Sequence, residues 1–119
     1  MGTDNEKVAL FAFNGEPMCF VHALLNAFDL RDKGHDVKLI IEGSATKLIK
    51  DLSDPQTPFA PLYTRARDEG LIDCVCRACS TKMGTIREAE NQSLPLCDEM
   101  SGHPSMGRYM AEGYTIIAL

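Results

Sequence analysis

The chain has 119 residues, of which 45% are hydrophobic, and a formal net charge of −5. This length suits one domain with one core, so we expect residues 1–119 to form a single domain with a disordered tail at residues 1–6. The acidic balance and the lack of a basic run argue against nucleic-acid binding. No apolar stretch could span a bilayer and no signal-peptide pattern is present, which favours a cytoplasmic protein without a membrane partner.

The first segment has the pattern of a strand followed by a helix. Residues 7–13 are a continuous apolar run, typical of a strand buried on both faces, and residues 14–17 break it. Apolar side chains then recur at helical spacing over residues 18–33. Gly34 stands where a left-handed residue would end this helix.

The same order is repeated along the middle of the chain. Residues 35–42 predict a second strand, followed by a turn at Gly43 and a helix with apolar residues as far as Leu52. A linker leads to a third helix that starts at Thr57, with proline as its first helical residue. Its apolar stripe consists of Phe59, Leu62, Tyr63 and Ala66. Residues 71–75 predict the third strand.

The last part of the chain contains weaker patterns. We expect a helix over residues 81–91, a short strand at 94–97, a polar loop at 98–104, a helix over 105–112 and a strand at 114–119. Strands that alternate with helices, and are apolar runs themselves, indicate a mostly parallel sheet. The sequence therefore predicts a three-layer α/β/α sandwich with about five strands.

A Cys-x-x-Cys pair follows the third strand and is the main candidate for chemistry. Cys76 and Cys79 precede Ser80 and Thr81, which are favourable residues for a helix start. A thiolate at a helix N-terminus is stabilised by the helix dipole and by unpaired N–H groups, so its pKa is expected to fall. Arg77 could add to this effect. The pattern therefore favours a nucleophilic thiol.

The other cysteines have less specific surroundings. Cys74 lies within a strand and is expected to be a buried core residue. Cys19 begins the first helix as a second thiol or a packing residue, with packing favoured. Cys97 closes the fourth strand and could reach the Cys76 loop as a resolving thiol, or belong to the core. Five cysteines is an odd number in a chain with enough core, so we expect no structural disulfide.

The alternative to a reactive thiol is a non-enzymatic module that binds a metal or a small ligand at the same place, and zinc is the metal to consider. Cys76, Cys79, Cys97 and His103 would supply a tetrahedral set of ligands. The spacing of Cys97 and His103 differs from that of a zinc knuckle, and a sandwich of this size folds without a metal. His103 could instead polarise a thiol, or be a solvated loop side chain.

The order of elements and the cysteine after the third strand, in CRACSTKMG, resemble the DsrE/DsrF-like family of small sulfur-relay proteins. The similarity extends over residues 7–119, including the ending EGYTIIAL. It implies a parallel five-stranded α/β/α sandwich, assembly into homo- or hetero-oligomers, and persulfide sulfur carried on the loop cysteine. For this chain we expect a homo-oligomer that exchanges sulfur with donor and acceptor proteins and requires no organic cofactor. Position relative to Gly84 assigns the sulfur to Cys76. Cys79 would share or resolve this role, with Arg77 and Ser80 stabilising the thiolate.

Overall fold

The computed structural model describes residues 5–119, which form five β-strands and six α-helices. The strands are Lys7–Ala12 (β1), Asp36–Ile41 (β2), Ile72–Cys76 (β3), Leu96–Cys97 (β4) and Tyr114–Ala118 (β5). The helices are Pro17–Asp32 (α1), Leu48–Asp51 (α2), Ala60–Asp68 (α3), Arg77–Lys82 (α4), Ile86–Asn91 (α5) and Met106–Ala111 (α6), and Gly43–Lys47 forms a 3₁₀ helix. Within the described residues, no helix is long and apolar enough to cross a membrane.

All strand pairs are parallel, and the strand order is β4-β3-β2-β1-β5. From β1 to β4 each new strand joins the same side of the sheet, so right-handed crossovers place the connecting helices on one face. The chain then returns from β4 to β5 at the opposite edge, and α6 covers the other face. This architecture confirms the expected three-layer α/β/α sandwich with a parallel five-stranded sheet.

The two faces of β1 show why its sequence is apolar from Val8 onward. Val8 and Leu10 belong to the larger core, which α1, α2, α3 and α5 cover. Ala9 and Phe11 belong to a smaller core, where Tyr109 of α6 packs edge-on against Phe11. A strand buried on both faces has no position for a charged side chain, so the continuous apolar run is explained.

The tail that the sequence predicts at the N-terminus reaches the start of β1. Of the tail expected at residues 1–6, residues 1–4 lie outside the described residues. The backbone of Glu6 hydrogen-bonds to the next strand: its carbonyl oxygen accepts the Asp36 N–H at 3.0 Å, and its N–H donates to His35 Nδ1 at 3.1 Å. The backbone of Glu6 thus takes part in the hydrogen bonding at the start of the β1–β2 pair.

The third and fourth helices start at residues other than those expected. Phe59 does not belong to an apolar stripe, because it precedes α3 with a φ of 71° and is 46% exposed. The helix expected at residues 81–91 is two helices, interrupted at Gly84, which has a φ of 74°. The first of them, α4, begins at Arg77 because the sulfur of Cys76 accepts the Cys79 N–H and caps it. Ser80 and Thr81 therefore lie inside a helix and do not start one.

The expectation of no structural disulfide is wrong. Cys74 of β3 and Cys97 of β4 form a disulfide, with their Cα atoms 5.7 Å apart. Both are buried in the smaller core, and Cys76, Cys79 and Cys19 remain as thiols. An odd number of cysteines allows one buried pair, and the pair depends on the position of a two-residue strand that sequence alone does not fix. Cys97 is consequently neither a free resolving thiol nor an available metal ligand.

Candidate functional site

The site lies where β2, β3 and β4 end, at the carboxyl edge of the sheet. Parallel strands all end at this edge, and it is the usual place for ligands in open α/β sheets. Glu42 follows β2, Cys76 is the last residue of β3, Cys79 lies in the first turn of α4, and His103 belongs to the loop between β4 and α6. Sheet topology therefore brings together side chains from three separate crossovers.

The other three side chains converge on the imidazole of His103. His103 Nδ1 lies 3.2 Å from the sulfur of Cys76, 3.7 Å from the sulfur of Cys79 and 3.5 Å from Oε2 of Glu42. One donor atom from each residue lies within 4.8 Å of all the others. The cluster thus contains two sulfurs, one nitrogen and one carboxylate oxygen within the reach of a single ion.

A tight turn holds His103 over the start of α4. The N–H of Met100 donates to the His103 carbonyl oxygen at 2.8 Å, and the His103 N–H donates back to Met100 at 2.9 Å. Gly102 has a φ of 89°, and a Cβ at this position would lie 3.0 Å from the Cβ of Ala78. Its carbonyl oxygen accepts the Ala78 N–H at 2.9 Å. Only glycine fits this conformation and contact without displacement of the turn.

The pKa of Cys76 is determined by burial more than by its position at a helix N-terminus. The Cys79 N–H donates to the sulfur of Cys76 at 3.4 Å, as expected at a helix N-terminus. Burial nevertheless raises the pKa of Cys76 to about 12, because it outweighs this hydrogen bond, and the neighbouring Cys79 and Glu42 raise it further. Burial also raises the pKa of Glu42, partly offset by His103. The expectation of a lowered thiol pKa is therefore wrong for Cys76 in the metal-free protein.

A surface pocket of about 330 Å³ opens beside the cluster. Cys79 and His103 line it, together with Lys82, whereas the side chain of Cys76 is fully buried. Of the two thiols in the Cys-x-x-Cys pair, Cys79 is thus the one that a molecule in the pocket would meet.

Comparison with known proteins shows relatives in archaea. The chain is 35% identical over 99 residues to the uncharacterized protein MJ0733 of Methanocaldococcus jannaschii, which covers 83% of this chain and 78% of that protein. The chain belongs to the same family as MJ0733. An uncharacterized protein of Archaeoglobus fulgidus is 49% identical over 41 residues, which are 34% of this chain and 67% of that protein. A second uncharacterized protein of the same organism is 40% identical over 35 residues, which are 29% of this chain and 95% of that protein. No protein-family model and no solved structure matches the chain.

Three of the supporting residues that the sequence suggested are not part of the cluster. Arg77 is half exposed and its guanidinium pairs with Asp98 at 3.3 Å. Ser80 is fully buried, and its hydroxyl has no hydrogen-bond partner among the described residues. Cys19 is exposed on α1, where packing was favoured, and it lines a separate pocket of about 480 Å³ with Met18. These three residues lie outside the Glu42–Cys76–Cys79–His103 cluster.

Glu42 is the site residue that sequence reasoning missed. It follows directly after an apolar strand, at the edge where the cysteines also lie, and this position was the available signal. The residue is 9% exposed, which is low for a glutamate, and its Oε2 lies 3.5 Å from His103 Nδ1. Glu42 occupies the place in the cluster that had been expected for Cys97.

Proposed function

We propose that this protein binds a thiophilic divalent metal ion, with Zn²⁺ as the best match, through Cys76, Cys79, His103 and Glu42. The observation that carries the proposal is that four donor atoms of these residues lie within 4.8 Å of one another. Thiolate sulfur, imidazole nitrogen and carboxylate oxygen are the ligands of zinc in proteins, and four is its usual coordination number. Two sulfurs favour zinc over magnesium or calcium, which prefer oxygen.

The electrostatics of the cluster support a cation. Two thiols and one carboxyl group surround a single base, His103, so the metal-free cluster cannot ionise fully without repulsion between its negative charges. The pKa of Cys76 is raised because burial and the acidic neighbours Cys79 and Glu42 all favour the neutral thiol. A divalent ion would remove the repulsion and displace the thiol protons. The same surroundings that keep Cys76 neutral and away from solvent thus suit a metal ligand.

The proposal is tested by the metal content of protein purified without added metal, and by Zn²⁺ titration of chelator-treated protein. We expect one Zn²⁺ per chain, and loss of this binding in Cys79→Ser and His103→Ala. The matched control is Cys19→Ser, which removes an exposed thiol outside the cluster and should leave binding unchanged. Equal binding by wild type and the two ligand variants would refute the site.

We propose sulfur transfer as the second candidate, and its support is the position of Cys79. Its sulfur lines the pocket beside His103, where the persulfide of a donor protein could approach. The Cys79 thiolate would attack the outer sulfur of the donor persulfide and release the donor thiolate, and Cys76 would be the resolving thiol. The resemblance to DsrE/DsrF-like proteins suggested the same chemistry with Cys76 as carrier. Burial of Cys76 favours the reversed roles.

Intact mass separates the two candidates. After incubation with a persulfide donor, a sulfur carrier gains about 32 Da per sulfur atom, and a reductant removes this gain. We expect Cys79→Ser to abolish the gain and Cys19→Ser to retain it. Tightly bound zinc without any mass gain would leave metal binding as the function and contradict sulfur transfer.

We further propose that the chain is a cytoplasmic protein that assembles with copies of itself. A reducing compartment would keep Cys76 and Cys79 as thiols, while burial keeps external reductants from direct contact with the Cys74–Cys97 pair. The support for self-association is exposed apolar surface beside the edge strand β5, where Ile117 and Leu119 are exposed. Light scattering during gel filtration tests the assembly, and a monomer across micromolar concentrations would contradict it.

A further inference from the structure

We propose that the four cysteines of β3, β4 and α4 form an internal thiol–disulfide relay. In this relay, the Cys76–Cys79 dithiol exchanges with the buried Cys74–Cys97 disulfide, and Cys79 is the end that solvent can reach. The proposal concerns the metal-free protein and does not depend on metal binding.

The register of β3 and β4 places Cys97 within reach of two partners. Cys97 is bonded to Cys74, with a Cα separation of 5.7 Å, and it lies directly opposite Cys76 in the parallel pairing. Neighbouring strands are about 4.8 Å apart, inside the range of about 4.4–6.8 Å that a disulfide spans between Cα atoms. Cys74 and Cys76 are two residues apart on one strand, so their side chains leave the same face. Cys97 can therefore pair with either.

The second connection in the relay is between Cys76 and Cys79. Their sulfurs belong to the group of atoms that lie within 4.8 Å of one another, and the Cys79 N–H already contacts the Cys76 sulfur. Cys76 is fully buried, whereas Cys79 lines the pocket. The order from core to solvent is thus Cys74, Cys97, Cys76 and Cys79.

The exchange balances without an external oxidant. The Cys76 sulfur attacks that of Cys97, which breaks the bond to Cys74. Cys74 leaves beside the Tyr109 hydroxyl, 3.4 Å away, and takes up the proton that Cys76 gave up. Cys79 then attacks Cys76, and the released Cys97 takes up the proton of Cys79. Two electrons and two protons pass from the Cys76–Cys79 pair to the Cys74–Cys97 pair, so one disulfide is reduced while another forms.

Burial explains what the relay would accomplish. Cys74 is 4% exposed and Cys97 is 6% exposed, so a thiol from solvent has little access to their bond. After exchange, the disulfide lies between Cys76 and Cys79, where a dithiol that enters the pocket can attack the Cys79 sulfur. The protein would then oxidise that dithiol at the pocket with the oxidising equivalent held in its core.

The test is the rate at which dithiothreitol reduces Cys74–Cys97 in chelator-treated protein that carries Cys19→Ser, followed by acid quenching, alkylation and peptide mapping. We expect slower reduction when Cys76→Ser or Cys79→Ser is added. In the Cys79→Ser variant we also expect a Cys76–Cys97 disulfide, because the second step is missing. Serine is itself a favourable helix N-cap, so Cys76→Ser should keep the start of α4.

Reduction at the parental rate in both variants, without a Cys76–Cys97 disulfide, would overturn the relay. One equivalent of Zn²⁺ provides a separate readout. If the metal proposal is also correct, Zn²⁺ should slow reduction in the Cys19→Ser parent, because Cys76 and Cys79 become ligands. If zinc does not bind, the dependence of the rate on Cys76 and Cys79 still decides the relay.

Discussion

At the scale of single residues, Cys76 shows how burial can override a helix N-terminus. Its sulfur receives the N–H that ordinarily stabilises a thiolate, but it is fully buried beside two other acidic groups. The hydrogen bond lowers the pKa, burial raises it by more, and the result is about 12. Reactivity at neutral pH is therefore assigned to the neighbouring Cys79, because its side chain lines the pocket.

This assignment predicts the order of alkylation in the metal-free protein. Iodoacetamide should label Cys79 faster than Cys76 between pH 7 and 9, and labelling of Cys76 should rise about tenfold per pH unit, since only the thiolate reacts. Peptide mass spectrometry of the Cys19→Ser protein measures both rates. Faster labelling of Cys76 than of Cys79 at pH 7 would contradict the assignment.

Glu42 provides a second prediction at this scale. Because its negative charge contributes to the raised pKa of Cys76, Glu42→Gln should lower that pKa and speed alkylation of Cys76. The same substitution should weaken Zn²⁺ binding, because it removes a charged ligand. Glu90→Gln, at an exposed position on α5, is the matched control and should change neither. An unchanged alkylation rate in Glu42→Gln would show that Glu42 does not contribute to the pKa of Cys76.

At the scale of elements, the turn before α6 positions the imidazole. Gly102→Ala should weaken Zn²⁺ binding. The added Cβ would lie 3.0 Å from the Cβ of Ala78, and a φ of 89° is strained for alanine. The turn should shift to relieve both, and His103 should move with it. Such backbone strain costs about 1–3 kcal/mol of unfolding free energy. Gly107→Ala within α6 is the control and should preserve or slightly raise stability, by about 0.5–1 kcal/mol. Zn²⁺ titration and urea denaturation measure both effects, and equal Zn²⁺ affinity in the two variants would disprove the role of the turn.

The Cys74–Cys97 disulfide should stabilise the edge of the sheet. It joins two residues that are 23 positions apart in the sequence and anchors β4, which has only two residues. A cross-link of this length contributes about 3 kcal/mol, so Cys97→Ala should lower the free energy of unfolding by about that amount. Urea denaturation of the oxidised and reduced Cys19→Ser protein gives the same comparison without changing the core. Equal denaturation midpoints in that comparison would show that the disulfide does not stabilise the fold.

At the scale of the whole molecule, the sequence predicted the sheet better than the site. The apolar runs of β1 and β2 and the glycines after the helices carry strong local signals, so element order and parallel topology were predictable. The pairing of Cys97 with Cys74 and the inclusion of Glu42 depend on strand register and on which strands are neighbours. These are properties of the folded sheet, and spacing along the chain does not contain them.

The site also joins parts of the molecule that the chain keeps separate. Its ligands come from the end of β2, the β3–α4 junction and the β4–α6 loop, so a bound ion would cross-link three crossovers at one edge of the sheet. An ion that binds only the folded state stabilises it by about 4 kcal/mol when its concentration is about 1,000 times the dissociation constant. Zn²⁺ should therefore raise the thermal midpoint of chelator-treated wild type, and a chelator should reverse the increase. Calorimetry on wild type, His103→Ala and Cys19→Ser measures this coupling, and we expect it to be lost only in His103→Ala. A rise of equal size in His103→Ala would place the ion elsewhere, since that variant lacks the imidazole on which the other three donors converge.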